Sequence, residues 1–228
     1  MSQPMTWGPP DAEDAEHAED AEHADHAERA ERHERADAVR NRRALLATTR
    51  EMLAEQGADR ITMDGLAERA GLGKGTVFRR FGTRAGIFQA VLDDDERSFQ
   101  EQVLSGPPPL GPGAAPLDRL IAYGQARIGF MTSHRDIARA SLDGSQPVPA
   151  GSETPMSRQH IRYLLREMRP LAASGQAEPD LNVLALQLTA ALDGPLLLYL
   201  SGAGDMPEIR GRLARGWEDL VRRVCRRP

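Results

Sequence analysis

Four strong bases stand close together between Lys74 and Arg84: Lys74, Arg79, Arg80 and Arg84, with Thr76 and Phe78 among them. Lys74 is the only lysine in the chain; every other strong base is an arginine. On a helix, Lys74, Thr76, Phe78, Arg79 and Arg80 look outward while Val77 and Phe81 look in. Such a face is cationic and hydrogen-bonding, with a flat ring among its charges. It suits the major groove of a duplex, where phosphates and base edges must both be met. Gly75 leaves backbone amides open near the helix N-terminus, where a phosphate can approach. Arg84 opens the next helix and adds a charge and free amides there.

The residues before this face have the types needed to hold it. Thr62 is placed to cap a short helix in which Met63, Leu66, Ala67 and Ala70 face inward. Ala67 is small, as the crossing of two close helices requires. Gly71-Leu72-Gly73 makes the turn, with Gly71 free to adopt a left-handed conformation. Leu66, Leu72 and Val77 fill the wedge between the helices. The spacing predicts a helix-turn-helix over residues 62–81. The plainer reading is a helical hairpin with arginines on its wet face; agreement of turn, packing residues and charged face speaks against it. An earlier helix is expected with Val39, Leu45, Leu46, Thr49, Met52 and Leu53 on one face, stopped by Gly57. A later one is capped by Thr83 and buries Ile87, Phe88, Val91 and Leu92.

The net charge of -5 hides an uneven distribution. Residues 11–38 hold twelve acids against three arginines, whereas residues 39–84 hold ten bases against five acids. An acidic tail thus precedes a basic module, and basic modules favour polyanions. In the tail, alanine recurs every third residue from Ala12 to Ala30, a period that builds no fixed apolar stripe. The expectation is disorder, or a frayed helix running into the next element. His17, His23, His26 and His33 lie in this segment, but low-complexity polar sequence is the simpler account of them than metal binding. The lone Cys225 forms no intrachain disulfide. No secretory signal is expected at the start of the chain, and the apolar run 183–200 contains Gln187, Asp193, Gly194 and Pro195, which fits a buried or interface helix better than a membrane span. A cytoplasmic protein is expected.

Residues 105–116 are a Pro- and Gly-rich connection. Beyond it, helices are predicted at about 117–133, 135–142, 154–173, 180–201 and 207–226, with a loop over 143–155. No stretch alternates as a strand does, so the fold class is all-α. Ile209, Leu213, Trp217, Leu220 and Val224 form the expected stripe of the last helix.

The stretch Ala70-Gly-Leu-Gly-Lys-Gly-Thr-Val-Phe-Arg-Arg-Phe81 resembles the TetR family of transcriptional regulators, within a similarity covering roughly residues 40–98. The resemblance implies an N-terminal helix-turn-helix DNA-binding domain and a C-terminal helical ligand-binding and dimerisation domain. It makes Thr62 a helix cap that touches phosphate, puts Lys74, Gly75, Thr76, Phe78, Arg79 and Arg80 on the DNA face, and gives Arg84 a backbone phosphate. Phe78 replaces the family's usual tyrosine and Arg80 its common histidine. Ala85-Gly86 follows the helix-4 cation, where the glycine weakens the helix by roughly 1 kcal/mol relative to alanine.

The domains implied are a tail over 1–36, a DNA-binding domain over 37–99 and a helical domain over 100–228. The partners implied are a palindromic duplex operator, a second copy of the chain through its last two helices, and a small-molecule effector that releases a repressor. Tyr123, Arg127, Phe130, Met131, His134, Tyr163, Met168, Gln187 and Asp193 mix apolar walls with polar groups, as a ligand cavity does. No cofactor, metal or catalytic residue is expected: the chain has no GxSxG, no HExxH, no cysteine cluster and no phosphate-binding glycine loop. An architectural DNA-binding protein without effector, or an enzyme joined to a DNA-binding module, are the other classes considered.

Overall fold

The computed structural model describes residues 12–141, 155–168, 180–199 and 206–225, with side chains described for Arg29 and from Arg32 on except at a few helix ends. The loop expected over 143–155 lies almost wholly outside them. Nine α-helices and one short 3-10 turn, with no strand, make up the described residues. The helices are α1 (Ala12–Gln56), α2 (Met63–Arg69), α3 (Lys74–Phe81), α4 (Arg84–Ser105), α5 (Pro116–Ser133), α6 (Arg135–Ser141), α7 (Pro155–Glu167), α8 (Leu181–Tyr199) and α9 (Met206–Val224), and the 3-10 turn is Ala58–Arg60. The fold is all-α.

Two compact units divide the chain, Met1–Thr48 and Thr49–Pro228. The first is helical from Ala12 onward, so the acidic segment and the Val39 helix are one continuous element, α1. Leu45 and Leu46 are buried, as their spacing predicts, but Val39 is 50% exposed. The expected apolar face therefore begins at Leu45. The domain boundaries expected at 36/37 and 99/100 both fall inside unbroken helices, α1 and α4.

In the second unit, Gly57 stops α1 at positive φ, and Thr62 and Thr83 cap α2 and α4 by accepting hydrogen bonds from the Gly65 and Gly86 amides at 3.0 and 3.1 Å. α5 packs on α9, α7 on α8 and α4 on α6. Their core is built from Phe99, Val103, Leu120, Tyr123, Ile161, Leu164, Leu188 and Trp217. Trp217 Nε1 donates to the Leu120 carbonyl at 3.1 Å, which ties α9 to α5. The expected stripe of α9 divides: Trp217 is buried with Val221, whereas Leu220 and Val224 are exposed. Trp217 and Val221 lie one turn apart, while Leu220 is rotated off that line and looks outward.

Candidate functional site

α2, the turn and α3 form as the sequence requires. Leu66, Ala67 and Val77 are buried, and Gly71 makes the turn at φ +65. With Val77 fixed inward, helical geometry directs the charged residues out. Lys74 and Arg79 are exposed, Phe78 is 47% exposed, and Thr76 and Arg80 are half-buried. A Cβ at Gly75 meets nothing within 4 Å, so the start of α3 is open to an approaching group. Phe81, expected inside, is half-buried.

Two features of this face are not legible in the sequence. Lys74 Nζ stands 2.7 Å from Asp64 Oδ2, so the one lysine on the face has an acid of α2 as its neighbour. Arg84 donates from Nε to the Ile61 carbonyl at 2.8 Å and from Nη2 to the Ala58 carbonyl at 2.5 Å, and its guanidinium lies 4.9 Å from the Phe88 ring centroid. These contacts give Arg84 a structural role beside the phosphate contact expected of it. Arg84 straps the 3-10 turn to the start of α4, sharing the Ala58 carbonyl with the Ile61 amide, which donates to it at 3.1 Å. Gly86, a seeming defect in α4, has a steric reason: a Cβ there collides with the Phe81 carbonyl oxygen at the end of α3. Arg50, near the end of α1, pairs with Asp94 and Asp95 of α4 at 2.8 and 2.6 Å. Burial works against its charge, but the two carboxylates outweigh this and raise its pKa.

The residues expected in a ligand cavity separate into three groups. Tyr123, Arg127, Phe130, His134 and Asp193 belong to one polar neighbourhood inside the helical half. Tyr123 donates to Ser157 Oγ at 2.5 Å; Arg127 pairs with Glu96 at 2.5 Å and lies 5.3 Å from the Phe130 ring centroid. His134 caps α5, with Nδ1 2.7 Å from the Phe130 carbonyl and Nε2 2.9 Å from Asp95 Oδ2. Burial pushes the Tyr123 hydroxyl and the Asp193 carboxyl upward in pKa; Arg127 partly offsets this in both. Met131 and Met168 are half-buried. Tyr163 and Gln187 are exposed and face away from this neighbourhood's core, because Leu164 and Leu188 take the inward positions beside them. Glu96, Phe99, Ser157 and His160 join the neighbourhood without having been expected there. None of the nine expected residues lines the open clefts of about 660 Å³ beside Arg60 and Arg84, 480 Å³ beside Arg210, or 210 Å³ beside Trp217.

Among the described residues no group of three or more His, Cys, Asp or Glu is placed to hold a metal ion. Of the tail histidines only the His33 side chain is described; it is exposed, 3.7 Å from Asp37. Burial pushes the half-buried Cys225 thiol up in pKa. No described helix is long and apolar enough to cross a membrane.

Residues 45–91, which hold the whole capped helix-turn-helix, match the family of bacterial regulatory proteins, tetR family. The chain matches the TetR family over this segment. It is 38% identical over 60 residues to a DNA-binding transcriptional repressor TetR of Mycobacteroides abscessus, a match that spans 26% of this chain and 32% of that relative. The TetR fold extends through the helical half. A TetR-family transcriptional regulator from Pectobacterium atrosepticum superposes with a TM-score of 0.63 at 21% identity, covering 85% of this chain and 98% of that one. A transcriptional regulator of the TetR/AcrR family from Thermobifida fusca gives 0.51 at 17% identity, covering 78% and 96%. TetR-family proteins are regulators and not enzymes.

Proposed function

We propose that this chain is a cytoplasmic, homodimeric transcriptional repressor that binds a palindromic operator and leaves it when a small molecule occupies its helical half. The observation that carries this reading is the outward cationic face of α3, held on a capped helix-turn-helix. Lys74, Thr76, Phe78 and Arg79 meet the major groove, Arg80 adds charge at its edge, and Thr62, Gly75 and the start of α4 at Arg84 face phosphates. The working division is a tail over 1–36, a DNA-binding domain over 37–99 and an effector and dimerisation domain over 100–228.

One recognition helix reads only a few base pairs. Two of them about 34–36 Å apart enter successive major grooves on one side of the duplex. Exposed Val183 and Leu186 on α8 and Leu220 and Val224 on α9 supply apolar surface for that pairing. The interior around Tyr123, Arg127, Phe130 and Asp193 is the effector site, and a ligand there that alters the spacing of the two α3 helices weakens DNA binding. A coupling of about 1–3 kcal/mol changes affinity roughly 5- to 150-fold.

The reading is tested by selecting bound duplexes from a random pool with the full-length protein. Enrichment of two inverted half-sites about one helical turn apart is expected; enrichment of single half-sites, or of none, contradicts it.

A further inference from the structure

Arg119, Tyr123 and Arg127 follow one another at four-residue steps along α5, which sets them on one face. Arg127 has its counter-charge in Glu96, and Tyr123 has its partner in Ser157. Arg119 stands at the N-terminal end of this face. Its Nε is buried and has no hydrogen-bond partner among the described residues. On α7, His160 is 7% exposed, and its Nε2 is likewise buried without a partner. The His160 ring packs on Tyr123 with centroids 4.9 Å apart, one helical turn from Arg119. Burial first, and the Arg119 charge second, hold the imidazole at a pKa of about 4, so it is neutral and carries one N–H near neutral pH.

Two buried polar nitrogens left unmatched on neighbouring helices are costly, and nearly all such atoms in folded proteins find a partner. One chemical group answers both. A carboxylate accepts from a guanidinium N–H with one oxygen and from an imidazole N–H with the other, and charge-assisted bonds of this kind are the strong ones. The surrounding core of Ile161, Leu164 and Leu188 is apolar, so the rest of the molecule must be apolar too. We propose that Arg119 and His160 bind the carboxylate of a small, mainly apolar organic acid, with the Tyr123 ring as the side wall. The acid is the effector; this rests on the reading that the helical half takes the effector.

Matched probes test it: phenylacetate against phenylacetamide, and hexanoate against hexanamide, titrated calorimetrically into the intact protein. The acids are expected to bind at least about tenfold more tightly than their amides, the effect of one charge-assisted bond. Arg119→Gln removes this preference and Arg119→Lys keeps part of it. His160→Phe weakens acid binding about tenfold, while His160→Gln, which retains an N–H, weakens it less. A thermal melt on each variant confirms that it is folded. Equal binding of acid and amide, absence of acid binding, or a preference that survives Arg119→Gln overturns the proposal. Arg119-dependent acid binding that leaves operator affinity unchanged sustains the carboxylate site and overturns its role in release. A neutral compound that frees the operator irrespective of Arg119, with no acid binding, overturns the carboxylate site and leaves ligand-released repression standing.

Discussion

The helix-turn-helix and the helical half that follows it place their polar side chains in opposite ways. Around α3, Lys74 and Arg79 stand in solvent and only apolar Leu66, Ala67 and Val77 are inside. Between α4, α5 and α7 the interior itself is polar, with Tyr123, Arg127, Ser157 and His160 all buried. An outward charge is solvated at rest and remains available to a polyanion. An inward one must be matched by a partner, as Arg127 is by Glu96, or it lowers stability. Changes in the first region should therefore register in binding and hardly in stability, and changes in the second should register in stability first.

The sharpest way to break this contrast is Arg127→Met, which strands Glu96 without its partner. A loss of about 3 kcal/mol or more is expected in denaturant unfolding; a loss under about 1 kcal/mol would remove the distinction. Two glycines give a second comparison. A Cβ at Gly124 runs into the Trp217 indole, so Gly124→Ala should cost about 1–3 kcal/mol by overpacking. Gly75→Ala adds its Cβ to open space and should hold or raise the melting temperature, since alanine is the better helix former by about 1 kcal/mol, while weakening DNA binding.

Acid titration sharpens the contrast further. Unfolded His160 takes up its proton near 6.5, the folded one only near 4. The unfolded chain thus binds more protons between these values, so stability is full above about pH 6.5 and falls as the pH drops towards 4, by at most about 3 kcal/mol. His160→Phe should flatten that part of a stability-against-pH curve. The smallest effect expected is at Asp64→Asn. Freeing Lys74 should tighten binding to random-sequence duplex a few-fold and steepen its salt dependence by about one unit of log K against log salt, with the melting temperature unchanged.

The helix-turn-helix was legible because its requirements are local. A cap at Thr62, a small residue at Ala67, a left-handed glycine at Gly71 and a wedge from Leu66 and Val77 lie within a few turns, and each residue type has one natural role there. Most helix positions beyond it were legible from periodicity and breakers, to within two residues at the ends; α7, expected to run to 173, ends at Glu167. What was not legible depends on distant partners. Nothing near Glu96 in the chain announces Arg127, nor does anything near His160 announce Tyr123. The strap made by Arg84 is hidden in the same way, because its neighbours in sequence give no sign that the Ala58 and Ile61 carbonyls lie beside it. Composition alone does not show that Tyr163 and Gln187 are exposed; a one-residue phase gives Leu164 and Leu188 the inward positions beside them.

The outward face of α3 is tested most directly by the double variant Lys74→Ala, Arg79→Ala. Its affinity for a selected operator is compared with the parent's at fixed salt, beside a sedimentation measurement of its assembly state. A loss of at least about 100-fold is expected from removing two charged contacts, with assembly unchanged. Parent-like affinity in a properly assembled double variant would show that the protein meets DNA, if at all, through some other surface.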